Sequence, residues 1–122
     1  MSKKLPKTIF CDLDGTLVKH PGDVTLLTSP EFELEVLPGV KDFLYHVDVN
    51  RYHLVITTGR KESLREPTIK QLQKAGIIYD QLIMGFGGGD RILINDRKSS
   101  TPDDTAFAIN LNRNEGVTNV KI

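Results

Sequence analysis

Hydrophobic positions in this chain alternate between short β-branched or aromatic runs and stretches with helical spacing. "TIFCDL", residues 8–13, reads as a strand closed by Gly15. Residues 16–37 are irregular, broken by Pro21, Gly22, Ser29 and Pro30, with a short hairpin suggested around "FELEVL". Val40, Phe43, Leu44 and Val47 then recur at i, i+3, i+4 and i+7, which predicts an amphipathic helix over 38–49 with Pro38 at its start. "YHLVITT", 52–58, is nearly all apolar or β-branched and reads as a strand buried on both faces. A second helix is predicted over 61–76. Leu64, Thr68, Leu72 and Ala75 share one of its faces, Gly76 is a C-cap, and Pro67 either opens a turn or kinks it. "YDQLIM" and "DRILIN" predict two more strands, and "TAFAINL" or "VTNVKI" a last one.

Strands alternating with helices imply parallel βαβ units and right-handed crossovers. The expected fold is α/β: a three-layer, Rossmann-like open sheet, mostly parallel, with helices on both faces. One domain over residues 1–122 is expected, with residues 1–7 a flexible tail and 17–37 a short flap in place of a cap. In such sheets ligands bind beyond the carboxyl ends of the strands. The positions there are Asp12 and Asp14, then Thr58, Gly59 and Arg60, then Asn95 and Asp96.

Composition narrows the classes. Lys plus Arg and Asp plus Glu are both 16, giving zero net charge, and that balance gives no support to polyanion binding. Cys11 is the single cysteine, so no intrachain disulfide forms and a reducing, cytoplasmic setting fits. No apolar run approaches the roughly 18 residues of a membrane span, and no signal-peptide core follows Met1.

Asp12 and Asp14 are two apart and in strand geometry face the same way. Two carboxylates so close repel unless a cation intervenes or one keeps its proton. With Asp96 arriving from another strand end, they would form an all-oxygen site suited to Mg²⁺. A calcium loop does not fit, because Thr16 and Leu17 stand where that loop needs an acidic or amide residue and a glycine. Nor does "GFGGG" fit a P-loop, since no Gly-Lys-Ser/Thr follows it. It reads as a tight connection.

"DLDGTLV" resembles the first motif of the haloacid dehalogenase superfamily of phosphohydrolases, DxDGTL. The resemblance spans most of residues 8–110 and implies a small, capless phosphatase. Asp12 would be the nucleophile forming an aspartyl-phosphate, and Asp14 the general acid/base. Mg²⁺ would be held by the carboxylates of Asp12 and Asp96 and the backbone carbonyl of Asp14. "VITTGR" is similar to the second motif, which makes Thr58 the phosphoryl-binding hydroxyl with Thr57 its runner-up; Gly15, Thr16, Gly59 and Arg60 would line the substrate. "ILINDRK" looks like the acidic fourth motif, with Asn95-Asp96 as its pair. The third-motif lysine has no clear counterpart. Lys70 is the favoured candidate, ahead of Lys61, Arg60, Arg91 and Lys98. The expected substrate is a small phosphorylated metabolite such as a sugar phosphate or nucleotide. The alternatives are a non-catalytic phosphoryl-binding module and a phosphatase acting on nucleic-acid ends. Neutral charge and few aromatics speak against long polynucleotides. The open site admits a homodimer.

Overall fold

The computed structural model describes residues 5–122, so the expected tail of residues 1–7 lies partly outside the described residues. Three parallel strands form the sheet in the order β1-β2-β3: β1 is Thr8–Asp12, β2 His53–Thr57 and β3 Gln81–Ile83. Phe10 is level with Val55, and Asp12 with Thr57. Helix α1, Val40–Val49, connects β1 to β2, and α2, Arg65–Ala75, connects β2 to β3. This is the open, parallel α/β sheet that the alternating pattern implies.

The apolar spacing of α1 does what it predicts: Val40, Phe43, Leu44 and Val47 are all buried. They meet Leu72 of α2 and Cys11, Leu13, Leu54, Ile56 and Leu82 from one side of the sheet in a single core. Gly39 caps α1 with a φ of 79° and packs so closely on Thr118 that a Cβ would clash. Before α2 comes a 3₁₀ turn, Glu62–Leu64. Pro67 falls in the first turn of α2, where a missing N–H costs nothing, so the helix is not kinked. Gly76 ends it in the left-handed conformation, as expected. Cys11 is buried and its thiol is pushed up to about 12, first by lost hydration and then by the charge of Asp12. It is a core residue, not a nucleophile.

The flap is a packed loop. Val18 bridges Val36 in antiparallel fashion, the remnant of the hairpin expected around "FELEVL". A 3₁₀ turn at Val24–Thr28, capped by Asp23, buries Leu27.

The last third departs from the sequence pattern. Neither "DRILIN" nor "TAFAINL" nor "VTNVKI" forms a strand; residues 84–122 contain no helix or strand at all. Residues 91–111 form an exposed arm. The chain then returns to the body, where Val117 enters the core and Val120 and Ile122 pack against it. The physical reason is the short connection after β3. A parallel strand needs a crossover of about a dozen residues or more, and only residues 84–90 separate Ile83 from Arg91. Among the described residues no helix is long and apolar enough to cross a membrane.

Candidate active site

The chain leaves β1 at Asp12 and turns at once. The carbonyl of Leu13 accepts from the N–H groups of Thr16, Leu17 and Val18, and Gly15 takes a φ of 90° that permits the turn. Leu13 and Leu17 are completely buried, so the turn is anchored from beneath. It holds Asp12 and Asp14 at the carboxyl edge of the sheet with different partners. The Thr16 hydroxyl donates to Asp12 at 3.3 Å. Asp14 is gripped by Arg60, whose Nε and Nη2 each donate to one carboxylate oxygen at 2.8 Å.

Arg60 is the central buried cation of this corner. Its side chain is almost wholly enclosed, and Nη1 donates to Thr68 at 3.0 Å and to Gln71 at 2.7 Å, both fully buried on α2. The sequence placed Arg60 against substrate. The structure instead commits its donors to Asp14 and α2, because a buried guanidinium must have its hydrogen bonds met inside the protein. No buried side-chain polar atom lacks a partner among the described residues.

Asp12 has no ion-pair partner among the described residues. Lost hydration holds its carboxyl above the ordinary carboxylate range, and the charge of Asp14 adds to this. The Leu13 N–H, the Thr16 hydroxyl and the field of Arg91 pull the other way. Of two adjacent acids, one is thus neutralised by protein and the other left with an uncompensated charge. That difference fits a cation ligand at Asp12: magnesium takes one or two carboxylates and completes its shell with water and phosphate oxygens. The Asp14 carboxylate does not fit such a role, since both oxygens serve Arg60; the sequence had assigned only its backbone carbonyl.

β2 delivers the threonines. The register sets Thr57 level with Asp12, half-buried on the same side of the sheet. Thr58 is buried, and its hydroxyl accepts from the Arg60 N–H at 3.1 Å. Gly59 lies under the loop after β3; a Cβ there would come within 2.5 Å of the Gly87 carbonyl oxygen. Gly59→Ala should therefore displace residues 85–89 and cost about 1–3 kcal/mol, read as a lower urea midpoint.

Two expected members are not brought in. Lys70 is exposed on α2. The cation whose field reaches Asp12 is Arg91, which lies over the Phe86 ring at 5.4 Å and donates to the Gly87 carbonyl at 2.9 Å. Asp96 lies on the exposed arm, and no group of three acidic, histidine or cysteine side chains gathers among the described residues. The expected trio of Asp12, Asp14 and Asp96 is therefore not assembled within this chain. The signal for Arg60 was present in "TTGR", but pairing it with Asp14 requires knowing that β1 and β2 are neighbours.

No protein-family model and no curated protein matches the chain. Solved structures do. A chain of the Pnkp1/Rnl/Hen1 RNA repair complex is 34% identical over 66% of this chain and 26% of that chain, with a TM-score of 0.55. In a second structure of the Pnkp1/Rnl/Hen1 complex the match is 31% identical, covering 75% and 32%, with a TM-score of 0.57. A crystallised target protein from Vibrio cholerae shares the fold at 21% identity, covering 73% and 79%, with a TM-score of 0.53. The chain has a haloacid dehalogenase fold. It spans about a quarter to a third of the length of the repair-complex chains it matches. Within the haloacid dehalogenase fold, "DLDGTLV" and "TTGR" occupy the carboxyl ends of adjacent strands, where the sequence motifs imply the reacting groups.

Proposed function

We propose that this haloacid dehalogenase domain hydrolyses phosphomonoesters, with Asp12 as nucleophile. The observation that supports this reading best is the unequal treatment of the two acids: Asp14 locked by Arg60, Asp12 exposed and unneutralised. In the proposed reaction an Asp12 carboxylate oxygen forms a bond to phosphorus as the bond to the leaving oxygen breaks. Both Asp14 oxygens accept from Arg60 in the resting arrangement, so Asp14 has to turn from the guanidinium and take a proton from solvent before it protonates that oxygen. Water then attacks phosphorus, returns a proton to Asp14 and releases phosphate from Asp12. The hydroxyl is offered by Thr57, level with Asp12, in place of Thr58, which the sequence favoured but which is buried and accepts from the Arg60 N–H; Arg60 is a positioning residue for Asp14. Magnesium, held by Asp12, would supply the positive charge that brings an anionic phosphate to an anionic nucleophile.

A second reading concerns the substrate: a phosphorylated nucleic-acid end in place of a small metabolite. It is favoured by the likeness to a chain from an RNA repair complex. Neutral net charge is compatible with gripping only a terminal phosphate. The test is phosphate release, with and without Mg²⁺, from p-nitrophenyl phosphate, a sugar phosphate and oligonucleotides carrying 3′- or 5′-phosphates. Magnesium-dependent release is expected, with an oligonucleotide end preferred on the second reading. No release from any of them would remove the hydrolase assignment.

A further inference from the structure

Three arginines lie about the turn after β1, and they differ in what their donors do. Arg60 is committed to Asp14, Thr68 and Gln71. Arg91 donates to the carbonyls of Gly87 and Gly89. Arg113 is exposed, and among the described residues its guanidinium enters no ion pair.

The turn that carries Arg113, residues 112–117, is fastened on both sides. Asn114 takes a φ of 65°, a left-handed conformation that asparagine bears more easily than most residues. Held so, its N–H donates to the Gly15 carbonyl at 2.8 Å, and its side-chain oxygen accepts from the His20 N–H at 2.7 Å. Two residues on, Gly116 has a φ of 86° and lies so close to Pro38 that a Cβ would overlap the Pro38 carbonyl oxygen. The Val117 N–H donates to that same oxygen at 2.9 Å, and the Val117 side chain is in the core.

This anchoring lays the Arg113 side chain across the first motif. A Cβ at Gly15 would stand 3.2 Å from its Cγ and 3.7 Å from its Nε, so the guanidinium begins directly against the glycine of "DLDG". Asp12 is three residues away, at most about 11 Å along the chain.

An unpaired guanidinium so placed suits a phosphate, whose oxygens match its planar fork. The transferring phosphate must lie against the Asp12 carboxylate. Arg113 stands over the third residue beyond it, so the group it meets belongs to the rest of the substrate. One arginine serves one further phosphate, which agrees with a chain of zero net charge and requires no basic groove.

We propose that Arg113 binds a second phosphate of the substrate, beside the one that Asp12 receives. The substrate class is then a phosphorylated end followed by a phosphodiester, or a small molecule with two phosphates. The inference rests on the proposed function for the place of the first phosphate.

Calorimetric binding to the Asp12→Asn protein, with Mg²⁺ present, tests it without turnover. Two ligand pairs separate the sources: a thymidine dinucleotide with a terminal phosphate against thymidine monophosphate, and glucose 1,6-bisphosphate against glucose 6-phosphate. In at least one pair the second phosphate should tighten binding about 10-fold or more, the scale of a hydrogen bond to a charged group. Adding Arg113→Ala should bring the two members of that pair within about 2-fold of each other, and Arg113→Lys should keep part of the difference. The pair that shows the effect identifies the source. Absence of the advantage from both pairs overturns the inference, as does an advantage that survives Arg113→Ala. Equal weakening of both members also overturns it, because Arg113 would then act on the transferring phosphate. Phosphate release by the parent protein is read separately. Release without the two-phosphate advantage removes this inference alone; the advantage without release removes the hydrolase assignment and leaves Arg113 a phosphate-binding residue.

Discussion

Asp12→Asn is expected to lower magnesium-dependent phosphate release by about 10³-fold or more, the scale on which a lost covalent nucleophile acts. The same variant should melt no lower than the parent at pH 7. In the folded protein the Asp12 carboxyl is held above its ordinary range by lost hydration, so the native state binds this proton more tightly than the unfolded chain does. Stability from this group is thus full at low pH and declines as pH rises from the ordinary carboxylate value through the raised one. A neutral asparagine avoids that loss, and its advantage in melting temperature should vanish once both residues are uncharged in acid. Thermal melts of the two proteins across pH 3–8, alongside the rate assay, check both halves. Retained turnover would overturn the nucleophile assignment, and a lower melting temperature at neutral pH would overturn the electrostatic one.

Arg60→Met is expected to be the most destabilising single change at the site. It leaves Asp14, whose side chain is only 13% exposed, without its bidentate partner, and it strips acceptors on Thr68 and Gln71 of their donor. Breaking a buried pair on one side costs about 3–5 kcal/mol. Arg60→Lys should recover little of this, because an ammonium cannot present the planar fork that meets both Asp14 oxygens and two further acceptors. Urea denaturation gives the comparison directly. Coincident midpoints for parent and Arg60→Met would mean that the corner is held by packing alone.

Much of the fold is legible in the sequence because its periodicities are local. The spacing of Val40, Phe43, Leu44 and Val47 reports a helix face, and these residues are buried together. "YHLVITT" announces a central strand, and Leu54, Val55 and Ile56 are indeed enclosed. The same reading fails after Met84. "RILIN" has every mark of a strand, yet strandedness is a relation to a neighbour, and a seven-residue connection withholds that neighbour within the chain. At the site, "DLDG" singles out two acids, and the resemblance gives them different roles, but neither shows that only Asp14 is paired with a buried cation. Arg60 lies 46 residues beyond Asp14, and only the pairing of β1 with β2 brings it there. Arg91 outranks Lys70 near Asp12 for a similar reason: its position depends on a loop folded back over β2, which no periodicity encodes.

The carboxamide of Gln71 ties the loop after the first motif to the Asp14–Arg60 pair. Its oxygen receives from Arg60, while its nitrogen donates to the carbonyls of Leu27 at 3.2 Å and Ser29 at 2.8 Å. The loop and the Asp14–Arg60 pair thus hang from one side chain. Whatever leans on residues 27–29 tugs, through a single amide, on the guanidinium that grips Asp14.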